Sequence, residues 1–137
     1  MNEEVNWTEY GKKMENLGAI DSGDLVDMAD KMGKQLARSL KINQIRRFLD
    51  ALRKIEQEFY QVTDSSGAHQ TEKVKHNLSM LRPKLAYAVG RDRNVKPLMT
   101  VLEPAIKAAA KNPDQSFEKL LRFMEAIIAY HRYYEGN

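Results

Sequence analysis

Lys84, Tyr87 and Arg91 stand at i, i+3 and i+7 in the stretch LRPKLAYAVGRDR, residues 81–93. If that stretch is helical, all three lie on one side of it. Two cations bracketing an aromatic ring suit a ligand built of phosphates and bases. The cations meet phosphates, and the ring offers a stacking surface. Arg82, Arg93 and Lys96 add to the local charge, and only Asp92 offsets it. A plain basic surface has the same composition, so this segment alone does not separate the two readings.

A second basic run lies upstream. Residues 31–54 hold Lys31, Lys34, Arg38, Lys41, Arg46, Arg47, Arg53 and Lys54 against one acid, Asp50. The net charge of +3 is unevenly spread. Residues 1–30 carry eight acids and two bases, and residues 31–137 carry twenty bases and eleven acids. A basic body suggests a polyanionic partner, and the acidic segment could cover a basic neighbour on this chain or another.

Other chemistry is thin. The histidines are His69, His76 and His131. His131 follows Ile127 by four residues on an apolar helical face, where a satisfied core or interface histidine is the expected role. His76 has Glu72 one turn before it, an ordinary surface pairing. No HExxH, GxSxG, Walker A or GxGxxG motif is present. Asp21, Asp24, Asp27 and Asp30 recur every three residues, which is not the alternation of a calcium loop. An acidic helix start explains them better. The absence of cysteine removes disulfides, thiolate metal sites and cysteine nucleophiles together. The sequence therefore points to no enzyme, no cofactor and no metal.

The elements that must position these residues follow from periodicity. With 42% apolar and 30% charged residues, the chain is expected to fold rather than stay disordered. The apolar runs are too short to cross a bilayer, and the acidic N-terminus lacks a signal-peptide pattern, so a cytoplasmic protein is expected. Residues 1–20 show no strong period and read as a loosely ordered acidic segment, with Trp7 and Tyr10 as its anchors. A first helix runs from Asp21 or Ser22 to about Leu40, its acids early and Lys31, Lys34, Arg38 and Lys41 late, as the helix dipole favours.

A second helix runs from after Asn43 to about Val62, with Ile45, Phe48, Leu49, Leu52, Ile55, Phe59 and Val62 as its stripe. Arg46 and Arg53 share one flank, and Arg47 and Lys54 share the outer face. Residues 63–70, TDSSGAHQ, read as a polar loop and the likeliest site of disorder. A third helix runs from Thr71 to Val89, kinked or split by Pro83, with Gly90 as its stop. A fourth runs from Val95 to Lys111, with Pro97 in its first turn and a second kink at Pro104. Residues 112–114 form a turn. A fifth runs from Ser116 to Tyr134, apolar over more than half its circumference, and so covered by the bundle or by a second subunit. The fold class is all-α: a single compact bundle of about five helices, some proline-kinked, forming one domain over 1–137.

Three segments now combine. NQIRRFLDAL from Asn43, LRPKLAYAVGRDR, and FEKLLRFMEAIIAYHRYY occur in that order in a small helical chain. Together they resemble the small subunit of the type III-A CRISPR effector, the Csm complex. The resemblance covers roughly residues 35–134. It implies a non-catalytic, RNA-binding role in antiviral defence. Copies of such a subunit stack head to tail beside the filament of backbone subunits, along the CRISPR RNA and its target RNA, and abut the large subunit. Cutting of the target belongs to the backbone subunit, and the other activities to the large subunit. The family's basic surface falls by position on Arg46, Arg47, Lys54, Lys84, Arg91 and Arg93. Lys41 and Arg53 join them as candidates on charge alone; Arg53 and Arg82 match no motif position. Phosphate contacts suit a protein that must accept any spacer, because they position without specifying. Tyr87, near the apolar boundary, is expected in a core or interface rather than on a nucleotide. The alternatives are a helical DNA-binding regulator and a helical adaptor for an acidic protein.

Overall fold

Helix starts in this chain follow its capping residues and prolines. The computed structural model describes residues 4–59 and 68–137. Among these are seven α-helices: α1 (Trp7–Met14), α2 (Ser22–Ser39), α3 (Ile42–Phe59), α4 (Ala68–Ser79), α5 (Leu81–Arg91), α6 (Lys96–Lys111) and α7 (Pro113–Tyr133). Single 3-10 turns at Leu17–Ala19 and Arg93–Val95 lie between them. The all-α bundle is the one the sequence predicts, with more helices than the five expected.

One extra helix is α1, where the sequence shows no strong period. Its cap is Asn6, whose side chain accepts the Glu9 N–H at 3.0 Å. Tyr10, Met14 and Leu17 are buried, and Trp7 packs against the same core, so the expected anchors do hold this segment. The Val5 N–H donates to Gln35 Oε1 of α2 at 2.9 Å, and Lys119 Nζ of α7 donates to the carbonyls of Gly18 and Ile20 at 2.9 and 2.5 Å. Eight residues with Gly11 in the middle give too short a window for periodicity to register.

The other extra helix comes from Pro83. A proline nitrogen cannot bond the carbonyl four residues back, here Ser79. The chain accordingly divides after Ser79, and Pro83 falls in the first turn of α5, where backbone N–H groups have no helical partner in any case. Pro104 acts differently. It leaves the Thr100 carbonyl without its helical donor, yet α6 continues through it as one helix. A Cβ on Gly11 of α1 would sit 2.5 Å from that carbonyl oxygen. Absence of a side chain at Gly11 is what lets α1 lie against the altered turn of α6.

Further boundaries shift. Gly90 does not stop α5, which continues to Arg91 and ends at Asp92. Residues 112–114 are not a free turn: Asn112 precedes α7 and Pro113 is its first residue, a favoured place for proline. Residues 68–70 of the expected loop are helical. The rest of that loop, and Val62 of the second-helix stripe, lie outside the described residues.

The core sits around α7. Phe117, Leu120, Leu121, Phe123, Met124 and Ile127 are each at most 1% exposed. Full burial of such side chains is worth roughly 1.5–3 kcal/mol apiece. They meet α2, α3, α4 and α6 within one chain, so the wide apolar arc of this helix is filled by the bundle itself. α2 and α7 pass close together at Gly33, where a Cβ would lie 2.6 Å from Tyr130 Cβ. Beside this crossing His131 is fully buried, and its Nε2–H donates to the Leu40 carbonyl at 2.8 Å, where α2 gives way to α3.

Candidate nucleic-acid interface

The α3 stripe buries Ile45, Phe48, Leu49, Leu52 and Ile55, which leaves Arg46, Arg47, Arg53 and Lys54 exposed. The α5 stripe buries Leu81, Leu85 and Val89, which leaves Lys84, Tyr87 and Arg91 exposed. Helical spacing alone decides both sets.

Two shallow depressions adjoin between these helices. One, of about 290 Å³, is walled by Gln44, Arg47, Tyr87, Ala88, Arg91 and Asp92. The other, of about 570 Å³, has Phe48, Ala51, Leu81 and Pro83 for an apolar floor, with Arg47, Lys84, Tyr87 and Ala88 around it. Arg47, Tyr87 and Ala88 belong to both. The structure thus brings together Arg47, Lys84 and Arg91 around one ring. Tyr87 is 66% exposed, so of the two places expected for it, core or interface, the core is excluded. The apolar boundary beside it is filled by Ala86 and Ala88, too small to cover a ring.

Gln44 bridges the two helices. Its Oε1 accepts the Lys41 N–H at 2.9 Å, and its Nε2 donates to Asp92 Oδ2 at 2.8 Å. Asp92 Oδ1 accepts the Asn94 N–H at 2.9 Å and so starts the 3-10 turn that carries Arg93. The Gln44 amide, and after it the Asn94 N–H, hold the Asp92 carboxyl below the usual carboxylate range against a smaller opposing effect of desolvation. Neither Gln44 nor Asp92 stands out in the sequence. The only signal is that each lies one residue inside the end of a basic motif.

The remaining candidates are dispersed. Lys54 is exposed seven residues after Arg47 and continues that side of α3 beyond the depressions. Lys41, Arg46 and Arg93 are exposed and line neither depression. Arg53 is engaged elsewhere: its Nη2 meets Glu125 Oε2 of α7 at 3.2 Å. Burial raises the Glu125 carboxyl, but Arg122 and Arg53 together outweigh it and hold that group below its usual range. Arg82 faces Glu103 of α6 at 3.8 Å. A further basic area lies on α2, where Lys31, Lys34 and Arg38 surround a depression with Glu4 and Gln35. Lys34 Nζ also stands 5.6 Å from the Tyr134 ring. The Tyr134 hydroxyl donates to Asp30 at 2.5 Å, which, with lesser effects of burial and nearby charge, pushes its pKa up to about 12.

The family model described as Csm2 Type III-A matches residues 20–137. The chain belongs to the Csm2 Type III-A family. It is accordingly a small subunit of the type III-A CRISPR effector, the Csm complex, and its partners lie within that complex. The matched span contains α2 to α7 and both helices of the interface, and it begins after α1. No curated protein and no solved structure matches the chain. Among the described residues, no group of three or more His, Asp or Glu side chains could hold a metal ion. Among the same residues, no helix is long and apolar enough to cross a membrane.

Proposed function

We propose that this Csm2-family chain is a non-catalytic RNA-binding subunit in antiviral defence, lying along the paired CRISPR RNA and target RNA and gripping the backbone through its basic helix surfaces. Arg47, Lys84 and Arg91 are its primary contacts, with Lys41, Arg46, Lys54 and Arg93 as outlying ones. The observation that carries this reading is the gathering of three cations from α3 and α5 around exposed Tyr87. Rigid helices present the charges, so phosphates can be met at fixed spacing while base pairing reads the sequence. Family membership supports the setting, a complex with backbone and large subunits and other copies of the same chain. The chain acts as one helical domain without cofactor, in the cytoplasm.

The test is a titration of single-stranded RNA over a range of salt. About three to five phosphate contacts give a log–log slope of roughly −2 to −3.5, at ~0.7 per phosphate. Unrelated RNA sequences should bind alike. Reversing Lys84 and Arg91 to Glu should weaken binding and flatten the slope by about 1.4, with the melting temperature held. A salt-independent affinity, or an affinity unmoved by these reversals, would count against the proposal.

A further inference from the structure

The two depressions between α3 and α5 differ in chemistry, and their difference matches the two halves of a nucleotide. The first is polar, with Arg47 and Arg91 as donors and the Gln44–Asp92 pair at its edge. The second is floored by Phe48, Ala51, Leu81 and Pro83. Tyr87 stands on the wall common to both, and its ring is 66% exposed while that of Phe48 is buried. A surface that met only phosphates would need neither an apolar floor nor an exposed ring. Phosphates gain nothing from either, and an exposed tyrosine ring leaves apolar area in water.

From this arrangement we infer that the groove holds one unpaired nucleotide of the bound RNA. Its base stacks on Tyr87 above the Phe48 floor, and its phosphate lies against Arg47 and Arg91. The inference rests on the RNA-binding reading above and narrows it to a subsite. A base still paired in a duplex has its faces covered by its neighbours and cannot reach the ring, so the subsite selects a base out of the stack. It does not select base identity. Every base has a π face, and the floor offers no hydrogen-bonding group to a base edge.

The experiment uses the whole chain and three probes: a short oligouridylate, an abasic ribose-phosphate oligomer of the same length, and a blunt RNA duplex. Tyr87→Ala should weaken oligouridylate binding by about five- to a hundred-fold, the range that base–aromatic stacking spans on alanine substitution. Binding of the abasic oligomer and the duplex should stay unchanged, and Tyr87→Phe should restore oligouridylate binding. Thermal melts of both variants should match the parent, because the ring is exposed. The inference is overturned if Tyr87→Ala leaves all three probes alike, or weakens them equally. In either case, if Lys84 and Arg91 reversal still abolishes binding, backbone recognition stands without the subsite. Failure of the parent chain to bind any of the three probes overturns both.

Discussion

The side-chain amide of Gln44 donates to Asp92 Oδ2 across 2.8 Å, joining the first turn of α3 to the residue that ends α5. These two helices carry the cations of the proposed interface, and the bond ties the first turn of α3, near Arg47, to the residue after Arg91. Gln44→Ala should therefore lower RNA affinity without removing a single charge. It should also raise the Asp92 pKa toward the ordinary value of about 3.9, which carboxyl NMR titration would measure. The sign follows from linkage: the folded-state pKa is depressed, so this group's stabilising contribution is present above the unfolded value and is lost as pH falls through the folded one. An Asp92 titration unmoved by Gln44→Ala would remove the bond from the argument.

Two glycines should respond in opposite directions. At Gly33 a Cβ would sit 2.6 Å from Tyr130 Cβ, 2.8 Å from the His131 nitrogen and 3.0 Å from the Ile127 carbonyl. Two of these are backbone atoms, so α2 and α7 must separate. Gly33→Ala should cost about 1–3 kcal/mol, as overpacking does. Gly90 lies on the exposed side of α5 with nothing within 4 Å of a built Cβ. Gly90→Ala should stabilise by about 0.5–1 kcal/mol, because it removes freedom from the unfolded chain. Denaturant midpoints of the two variants should fall on opposite sides of the parent.

Phe123 and Ile127 are buried inside one chain, at 1% and 0% exposure. Truncation of either to alanine should cost about 2–5 kcal/mol. The loss should be the same at every protein concentration, since no second copy is needed to cover these side chains. Sedimentation and melts over a concentration series would check this. A folded Ile127→Ala variant that had lost only self-association would contradict the interior placement.

Helices whose apolar residues recur for four turns or more were legible in the sequence. The α3 stripe is buried from Ile45 to Ile55, and that of α7 from Phe117 to Ile128, as the periodicity predicts, with Tyr130 only partly buried. α1 was not legible, because Tyr10, Met14 and Leu17 give too few repeats and the packing against Thr100 depends on a residue ninety positions away. The basic character of the site was visible in Lys84 and Arg91, and its ring in Tyr87. What spacing could not tell was which α3 flank faces α5. Arg46 and Arg47 differ by one residue and about 100° of helix rotation, and only tertiary packing chooses between them.

The helix C-terminus offers a separate test of backbone geometry. Glu135 has φ 65°, a left-handed conformation, and the Gly136 N–H reaches back to the His131 carbonyl at 2.8 Å. This is the close of a helix in which glycine normally occupies the left-handed position. Glu135→Gly should stabilise the chain by about 1 kcal/mol, the usual cost of that conformation for a residue with a Cβ. A rise in melting temperature would confirm it, and a fall would show that the Glu135 side chain has a compensating contact.

Arg47 and Arg53 offer a test of the proposed interface on one helix. Arg47 lines both depressions. Arg53 is committed to Glu125 at 3.2 Å, with the Arg53 side chain 53% exposed. Arg47→Glu should weaken RNA binding and flatten the salt slope by about 0.7, with little change in the melt. Arg53→Glu places a second carboxylate beside Glu125 and removes a group that helps keep that carboxylate ionised. The Glu125 pKa should therefore rise, and stability should fall by no more than about 1 kcal/mol, as for exposed pairs. RNA affinity should fall less than for Arg47→Glu, because only a diffuse charge effect remains, screened beyond about 10 Å at moderate salt. Equal losses from the two reversals at moderate salt would mean that RNA responds to the charge of α3 as a whole and not to the groove beside α5.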